Sequence, residues 1–228
     1  MSKLRFNITM SLDGFVAGPS QSVENPLGVG GMRLHDWVFP LAVFRRVHGM
    51  EGGTADASTP VVEESLENVG AYLMGRNMFG GGPGPWGEEP WNGWWGDDPP
   101  FHTPVFVLTH HPRKRLVMEG GTTFTFVTDG IEPALEQAKA AAGGKDVVIG
   151  GGANVVQQYL AARLVDELNV SVAPILLGGG ERLFDNLDGT DLGLEQVRAV
   201  DAPGVTHLKY RVVRSAAADD RIESASGL

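Results

Sequence analysis

Three consecutive glycines separate an apolar run from a helix-like run in the segment DVVIGGGANVVQQYL, residues 146–160. Glycines at the end of a strand let the backbone approach a ligand closely, and the first turn of a following helix presents N–H groups and the positive end of its dipole. A phosphate or pyrophosphate suits that arrangement. The segment is not the GxGxxG fingerprint, because residue 155 is valine. A tight strand–helix turn without a ligand is the alternative.

A second candidate for anion binding is the densest basic run of this acidic chain, which directly follows the apolar run PVFVL. It comprises Thr109, His110, His111, Arg113, Lys114 and Arg115. Donor and cationic side chains behind a strand suit a small anionic ligand, although a run of charges is also typical of a solvated loop. We expect no metal site from His102, His110 and His111, because no acidic ligands are matched to them.

A third feature is a Gly/Pro-rich loop over residues 80–100 that carries four tryptophans: Trp86, Trp91, Trp94 and Trp95. Exposing four indoles to water is costly. The indoles could stack on a flat heterocycle, line a subunit interface or anchor the loop on the core. Trp94 and Trp95 are the candidates for contact with a substrate.

Strand-like segments surround these motifs. Predicted strands cover residues 4–10, 71–75, 104–109, 123–128, 146–150 and the segment DELNVSVAPILL. LEQVRAV and VTHLKYRVV predict a closing hairpin with DAPG as its turn.

Helix-like segments alternate with these strands. We predict helices over residues 36–49 with Asp36 as N-cap, over 59–70 with Thr59 as cap, Pro60 at the first helical position and Gly70 after the end, and over GIEPALEQAKAAAGG and ANVVQQYLAARL. Strands alternating with helices indicate a largely parallel sheet covered on both faces, and the hairpin adds an antiparallel edge.

Length and composition limit the class of protein. The 228 residues suffice for one large α/β domain, predicted over residues 1–214, and the polar segment 215–228 is expected to be a disordered tail. No segment approaches the roughly 18 apolar residues of a membrane span, and the N-terminus lacks a signal-peptide pattern, so we expect a cytoplasmic protein without a membrane partner. The net charge of −10 argues against a nucleic-acid surface. The absence of cysteine excludes disulfides, thiolate zinc sites and a cysteine nucleophile.

As an ordered set, the motifs resemble the dihydrofolate reductase-like superfamily. VVIGGGANVVQQYL and AYLMGRNMF resemble its two cofactor-binding strand–turn–helix segments, with PVFVLTHHPRK between them as the expected third. NITMSLDGFVAG, WWGDDPPF and PILLGGGERLF are similar to stand-alone relatives of the reductase domain of riboflavin-biosynthesis deaminase-reductases, whereas the zinc-deaminase pattern HxE…PCxxC is absent. The resemblance implies a three-layer αβα fold with a mixed, mostly parallel sheet, and NADPH as hydride donor.

The resemblance also implies which residues bind NADPH. The pyrophosphate turn comprises Gly150, Gly151, Gly152, Ala153, Asn154 and Val155. The second turn comprises Gly75, Arg76 and Asn77, where a surface salt bridge is the alternative for the arginine. The loop that meets the adenosine 2′-phosphate comprises Thr109, His110, His111 and Arg113. The segments beside the nicotinamide contain Val16, Ala17, Gly18, Gly178 and Gly179.

For the substrate, the resemblance places Asp13 nearest the pocket and makes Asp36 a candidate for the carboxylate that binds a pterin. Structural alternatives are that Asp13 caps its turn and that Asp36 caps a helix. Arg33 and His35 could bind a phosphate or ribityl group, or could face water.

These inferences favour an NADPH-dependent reductase of a small planar heterocycle, or of its ring-opened aminopyrimidine-like relative, with a solvent proton or Asp13 completing the reduction. The alternatives are an NADP(H)-binding module without turnover, such as a sensor, and a true dihydrofolate reductase. The family resemblance also predicts a homodimer.

Overall fold

The structure is a computed structural model that describes residues 2–82, 84–88, 91–187, 189–190 and 192–213, so the predicted tail 215–228 lies outside it. The strands are β1 (Leu4–Ser11), β2 (Phe15–Ala17), β3 (Val69–Gly75), β4 (Pro104–Leu108), β5 (Leu116–Val117), β6 (Thr123–Val127), β7 (Asp146–Gly151), β8 (Glu167–Ala173), β9 (Glu181–Arg182), β10 (Gly193–Ala202) and β11 (Val205–Val213). The helices are α1 (Ala42–Val47), α2 (Thr59–Leu66), α3 (Arg76–Phe79), α4 (Ile131–Ala142) and α5 (Ala153–Ala161), with short 3-10 turns at Gly31–His35 and Glu119–Gly121. None of the described helices is long and apolar enough to cross a bilayer.

Nine strands form one sheet in the order β10-β11-β8-β1-β7-β3-β4-β6-β5, and β2 pairs with β9 in a small antiparallel sheet. The pairings from β8 through β1, β7, β3 and β4 to β6 are parallel. The hairpin of β10 and β11 is antiparallel and joins the sheet through β8, which confirms the predicted antiparallel edge. The sequence patterns did not predict β2, β5 and β9, because two or three residues are too few to show alternation.

The two faces of the sheet are covered differently. On one face α4 and α5 pack on side chains that point the same way from the central strands, including Leu4, Phe6 and Leu73, and form the main apolar core. The opposite face carries α1 and α2, and it holds a second cluster around Met74 and Phe124 beneath the tryptophan loop. The arrangement confirms a three-layer αβα fold.

The predicted start of the first helix is wrong. Asp36 follows the 3-10 turn instead of capping a helix, and α1 begins only at Ala42. The reason is tertiary: the Thr54 amide donates to the Pro40 carbonyl, and the Ala42 amide donates to the Thr54 carbonyl, both at 2.8 Å. This bridge holds Leu41 in an extended conformation and interrupts the helical pattern.

Two boundaries of the next helix are also corrected. Ser58, not Thr59, is the N-cap residue of α2, which puts Pro60 at the second helical position. Gly70 does not end the helix but lies within β3. A Cβ atom at Gly70 would lie 2.5 Å from the Ala142 carbonyl oxygen, so glycine is required there to let α4 approach the sheet.

Candidate functional site

One large cavity of about 1010 Å³ opens along the carboxyl ends of the parallel strands and extends between the sheet and α2. Ligands of open α/β sheets bind at that edge. The volume is at the upper limit of the roughly 300–1,000 Å³ typical of small-molecule sites. Two parts of the cavity differ in construction: a glycine end at the carboxyl ends of β7, β3 and β4, and a polar end on β1 and β8 beneath α2.

The glycine end is built from the turn between β7 and α5. Gly150 is the extra residue of a β-bulge, because Leu73 pairs with Ile149 and Met74 already pairs with Gly151. Gly152, with φ of +90°, turns the chain into α5 in a conformation that side chains disfavour. Ala153, Asn154 and Val155 form the first helical turn. The Val155 amide donates to the Gly152 carbonyl at 3.1 Å, whereas no partner for the Ala153 and Asn154 amides is found among the described residues. All six residues from Gly150 to Val155 line the cavity.

The turn at the end of β3 meets this glycine turn directly. A Cβ atom on Gly75 would lie 2.9 Å from Cγ2 of Val155, and one on Gly152 would lie 3.7 Å from Cα of Gly75. Close approach of two backbones therefore explains part of the glycine requirement without a ligand. Gly75, Arg76 and Asn77 all line the cavity.

Arg76 is engaged with the protein itself. Its guanidinium lies 3.2 Å from the ring centre of Trp86 and donates to the carbonyls of Gly80, Gly81 and Gly82. The ion pairs of the described residues do not include it, and its buried Nη1 has no partner among them. Arg76 therefore brings an unneutralised positive charge to the cavity wall.

The structure separates the members of the basic run. Thr109, His110 and His111 line the cavity at the end of β4. Arg113 turns away from it, because its guanidinium donates to the Trp91 carbonyl and to Asn92 Oδ1 and lies 4.7 Å from the centre of the Trp86 ring. Lys114 and Arg115 are exposed. His102, considered above with the two loop histidines, instead contacts the Gly120 carbonyl at 2.9 Å.

The two segments predicted beside a nicotinamide are neighbours in the structure. Ala17 pairs with Glu181 between β2 and β9, and a Cβ atom on Gly180 would lie 2.0 Å from the Ala17 carbonyl oxygen. Val16, Ala17 and Glu181 line the cavity. The cavity wall of the described residues does not include Gly18, Gly178 or Gly179.

Asp13 lies outside the cavity wall and holds these two segments together. Its carboxylate accepts hydrogen bonds from the Ser11 hydroxyl at 2.5 Å and from the amides of Leu177 and Gly178 at 3.1 and 2.8 Å. These bonds, the Ser11 bond first, lower the pKa of the Asp13 carboxyl to about 2. The group stays ionised near neutral pH, so it is not a proton donor there. This arrangement matches the turn-capping alternative.

Asp36 and Arg33 are exposed, and neither belongs to the cavity wall of the described residues. His35 does line the cavity, where burial lowers the pKa of its imidazole. Its buried Nδ1 has no partner among the described residues.

The tryptophan loop is anchored on the core. Trp86, Trp91 and Trp94 donate their indole N–H groups to the carbonyls of His111, Phe79 and Met78, at 2.8 to 3.0 Å. Trp95 packs on Phe101 and Phe124. Trp94 and Trp95 also line the cavity, so they combine anchoring with access to a ligand.

The polar end contains residues that were not predicted from the sequence. Asn7 and Thr9 of β1 pair in register with Asn169 and Ser171 of β8, and all four line the cavity. Alternate residues of a strand point to one face, so the four side chains form a polar row on the sheet. The repeated spacing N-I-T and N-V-S within two apolar strands is the signal that could have revealed it.

The row is roofed by α2, which contains no buried residue. Val61, Val62 and Ser65 of α2 line the cavity, together with Phe44 of α1 and with Trp37. Polar contacts attach α2 to the sheet: Lys209 Nζ lies 2.6 Å from a Glu64 carboxylate oxygen, and the Arg5 guanidinium donates to the carbonyls of Ser65 and Glu67.

His207 connects this roof to the polar row. Its Nδ1 lies 2.8 Å from Ser171 Oγ and its Nε2 lies 3.0 Å from Ser58 Oγ. The ring is 4% exposed and makes an edge contact with Trp37 at 4.8 Å between centroids. Burial lowers the pKa of the imidazole to about 4, so His207 is neutral near pH 7.

Comparison with known proteins agrees with this architecture. The uncharacterized protein YyaP of Bacillus subtilis (strain 168) is 30% identical over 124 residues, which are 52% of this chain and 61% of that protein. A protein assigned to riboflavin biosynthesis from Shewanella sp. PV-4 has a structure with a TM-score of 0.59 and 23% identity, over 94% of this chain and all of that one (100%). Acinetobacter baumannii RibD gives a TM-score of 0.57 at 17% identity, over 94% of this chain but only 59% of RibD.

A more distant neighbour is dihydrofolate reductase from Enterococcus faecalis, complexed with NADP(H) and RAB-propyl. Its TM-score is 0.50 at 16% identity, over 93% of this chain and 97% of that one. At these identities the solved structures establish the shared fold alone. The sequence itself matches the RibD C-terminal domain over residues 2–207. The chain therefore belongs to the RibD C-terminal domain family.

Proposed function

We propose that the protein is an NADPH-dependent reductase that transfers a hydride to a small planar heterocycle. The observation that carries this proposal is a single cavity that joins the glycine turn ahead of α5 to the polar row on β1 and β8. One end offers backbone amides, the guanidinium of Arg76 and the polar side chains of Thr109, His110 and His111. The other offers neutral hydrogen-bonding groups beneath a mainly apolar roof. A dinucleotide and a second ligand can therefore lie side by side in it.

The residues of the glycine end fit NADPH. At Gly150 and Gly152 no side chain fills the space beside the first turn of α5, and helix N-terminal amides with the helix dipole favour a pyrophosphate. The amides of Ala153 and Asn154 would hold that group, whereas the Val155 amide already donates to the Gly152 carbonyl. The Enterococcus faecalis reductase with the same fold was solved with NADP(H), which supports the choice of cofactor.

A preference for NADPH over NADH follows from the side chains around this end. Arg76, Thr109, His110 and His111 line the wall there and would hold an adenosine 2′-phosphate. Arg113, which the sequence also suggested for this role, is not part of the proposed site because it is bound to the tryptophan loop.

The cofactor supplies the hydride when bound, and the chain's residues position the reactants. Val16 and Ala17 form the wall at which the strand β2 meets the cavity. Glu181 is the only carboxylate among the described lining residues. Asp13 stays ionised and lies outside the wall, so we assign the proton that completes the reduction to solvent and not to Asp13.

The alternatives differ in what they require of the site. A sensor module would bind NADP(H) without turnover, and the cavity beyond the cofactor would be unnecessary. A true dihydrofolate reductase would need a carboxylate at the pterin, whereas Asp36 is exposed and outside the cavity wall. No observation favours either alternative over the reductase.

Titration with NADPH and with NADH, in separate experiments, tests the proposal. Tryptophan quenching and nicotinamide fluorescence report binding, and we expect NADPH to bind much more tightly than NADH. Loss of nicotinamide absorbance with a panel of pyrimidines and pteridines then tests turnover. Binding without oxidation of any panel member would favour the sensor, activity on dihydrofolate would favour a true dihydrofolate reductase, and no binding of either cofactor would refute the assignment.

A further inference from the structure

The polar end contains an amide pair with free hydrogen-bonding capacity. Asn169 Nδ2 donates to Asn7 Oδ1 at 2.7 Å across the strands β8 and β1. Both side chains line the cavity, and neither Asn7 Nδ2 nor Asn169 Oδ1 has a hydrogen-bond partner among the described residues. A side-chain amide has two donor hydrogens and one acceptor oxygen. Exchanging N and O in both amides would reverse the pair but again leave one amino group and one oxygen for a ligand.

The surroundings of this pair are electrically neutral. The lining residues described on β1, β8, α1, α2 and the segment 31–38 include no Asp, Glu, Lys or Arg. Two cations lie on neighbouring positions of the sheet. Arg5, two residues before Asn7 on β1, is paired with Asp146 at 3.3 Å. The other is the ammonium of Lys209, which pairs with Asn169 between β11 and β8. It is neutralised by Glu64 at 2.6 Å and Glu167 at 3.4 Å.

The roof over the pair is mainly apolar and aromatic, with the Ser65 hydroxyl and the indole N–H of Trp37, which lacks a partner among the described residues, as its polar groups. Val61 and Val62 of α2, Phe44 of α1 and Trp37 face the same space. Such side chains suit the faces of a planar ring, whereas polar groups on one side suit its edge.

We propose that the Asn7–Asn169 pair selects an uncharged planar ring through an edge with one donor and one adjacent acceptor, such as the N–H and C=O of a lactam. This inference rests on the proposed reductase function and specifies its substrate class. A protonated amidine presents donors only and needs a carboxylate, which the pair lacks. A phosphate needs cationic partners, and none of the described lining residues on the elements named above is a lysine or an arginine.

The test replaces one member of the pair by its acidic isostere. In Asn7→Asp the carboxylate still accepts the Asn169 hydrogen bond, so folding should be retained, but the free donor is lost. The probes are lumazine, which has a lactam edge, and 2,4-diaminopteridine, which can be protonated to an amidinium. Fluorescence titrations measure both dissociation constants, with and without NADP⁺, in the wild type and in the variant.

We expect the wild type to prefer lumazine, and Asn7→Asp to shift the ratio of the two dissociation constants about tenfold or more towards 2,4-diaminopteridine. Diaminopteridine binding to the variant should also strengthen as the pH falls, because the carboxylate favours the protonated ring. Gln196→Glu makes the same change of charge on the exposed strand β10 and should leave the ratio unchanged.

An unchanged ratio in a folded Asn7→Asp protein would overturn the inference, as would a wild type that prefers diaminopteridine. NADPH binding measured on the same samples separates this result from failure of the proposed function. If NADPH binds while the ratio stays constant, only the role of the amide pair is wrong. If NADPH fails to bind although lumazine binds selectively, the reductase proposal fails and the recognition of the ring stands.

Discussion

The two ends of the cavity are built by different means. The glycine end is made of backbone: a bulge at Gly150, a left-handed residue at Gly152 and the first turn of α5. The polar end is made of side chains on β1 and β8, held beneath a helix that contributes no buried residue. A backbone site tolerates many side-chain changes but few glycine replacements, whereas a side-chain site can change its ligand by one substitution. The difference teaches that the two proposed binding sites can change independently of each other.

Replacing His207 should have the largest effect and should be confined to the polar end. His207→Ala removes the partner of the fully buried Ser58 and of Ser171, and opens space beside Trp37. We expect the free energy of unfolding to fall by about 3 kcal/mol, measured by urea denaturation, while NADPH affinity stays within about twofold. His48→Ala, at an exposed histidine of similar chemistry, should cost no more than about 1 kcal/mol. A large loss of NADPH affinity in His207→Ala would show that the two ends are coupled.

The pH dependence of the free energy of unfolding should also reflect the polar end, through the titration of His207. The pKa of His207 is about 4 in the folded protein, below the ordinary 6.5, because burial outweighs the attraction of Asp56, and Arg198 lowers the pKa further. Folding thus disfavours the protonation of His207. The free energy of unfolding is therefore highest above pH 6.5 and decreases as the pH falls from 6.5 towards 4. We expect a loss of about 2 kcal/mol across that window.

Chemical denaturation at a series of pH values measures this loss. His207→Gln introduces a neutral side chain that keeps one donor and one acceptor. This change should reduce the slope of the free energy of unfolding against pH between pH 6.5 and 5. In that interval the carboxylates with lowered pKa, including those of Asp13, Glu64 and Glu167, remain ionised. Burial also lowers the pKa of His35, so His35 contributes to this slope equally in the wild type and in the variant. Equal slopes in the wild type and the variant would contradict the assignment to His207.

A negative charge introduced at the glycine end should have a smaller effect, which is limited to the affinity for NADPH. Asn154→Asp places a carboxylate in the first turn of α5, where the side chain can still accept the hydrogen bond from Gln158. A negative charge near a helix N-terminus adds about 0.5 kcal/mol of stability, but it repels a pyrophosphate. We expect NADPH affinity to fall about tenfold, equivalent to about 1.4 kcal/mol, with lumazine binding unchanged. Gln137→Glu, an equal charge change on the exposed side of α4, is the control. Unaltered NADPH affinity in Asn154→Asp would argue against the pyrophosphate at this turn.

The residues of the glycine end could be located from the sequence, whereas those of the polar end could not, for a physical reason. Glycines, strand ends and helix starts are local features, so the segments at 75–77 and 150–155 could be recognised one at a time. The polar row exists only because β1 and β8 pair in register, and Asn7 and Asn169 are separated by 162 positions in the chain. Register between distant strands is set by the whole sheet and not by either strand's pattern.

Side-chain direction accounts for most of the other differences between the sequence-based predictions and the structure. The sequence grouped Arg113 with His110 and His111, but stacking on Trp86 turns its guanidinium towards the tryptophan loop. It placed Asp13 near a substrate, whereas the carboxylate is used by three hydrogen bonds within the protein. The largely parallel sheet and its antiparallel edge could be predicted, because the alternation of strands and helices limits the possible topologies. Oligomeric state stays a prediction from the family resemblance.

The way in which α2 is attached has a consequence for hydrogen exchange. Its links to the sheet, through Ser58, Glu64 and the carbonyls that accept from Arg5, are polar and few. α4 and α5, by contrast, are attached by buried apolar surface. Val62 packs on the apolar cluster of Val38, Leu41 and Val43, but no residue of α2 is buried. Separating α2 from the sheet therefore exposes less apolar area than separating α4 or α5, and it requires less free energy than global unfolding. The amides of α2 should exchange with solvent sooner than those of α4 and α5, while the core stays intact.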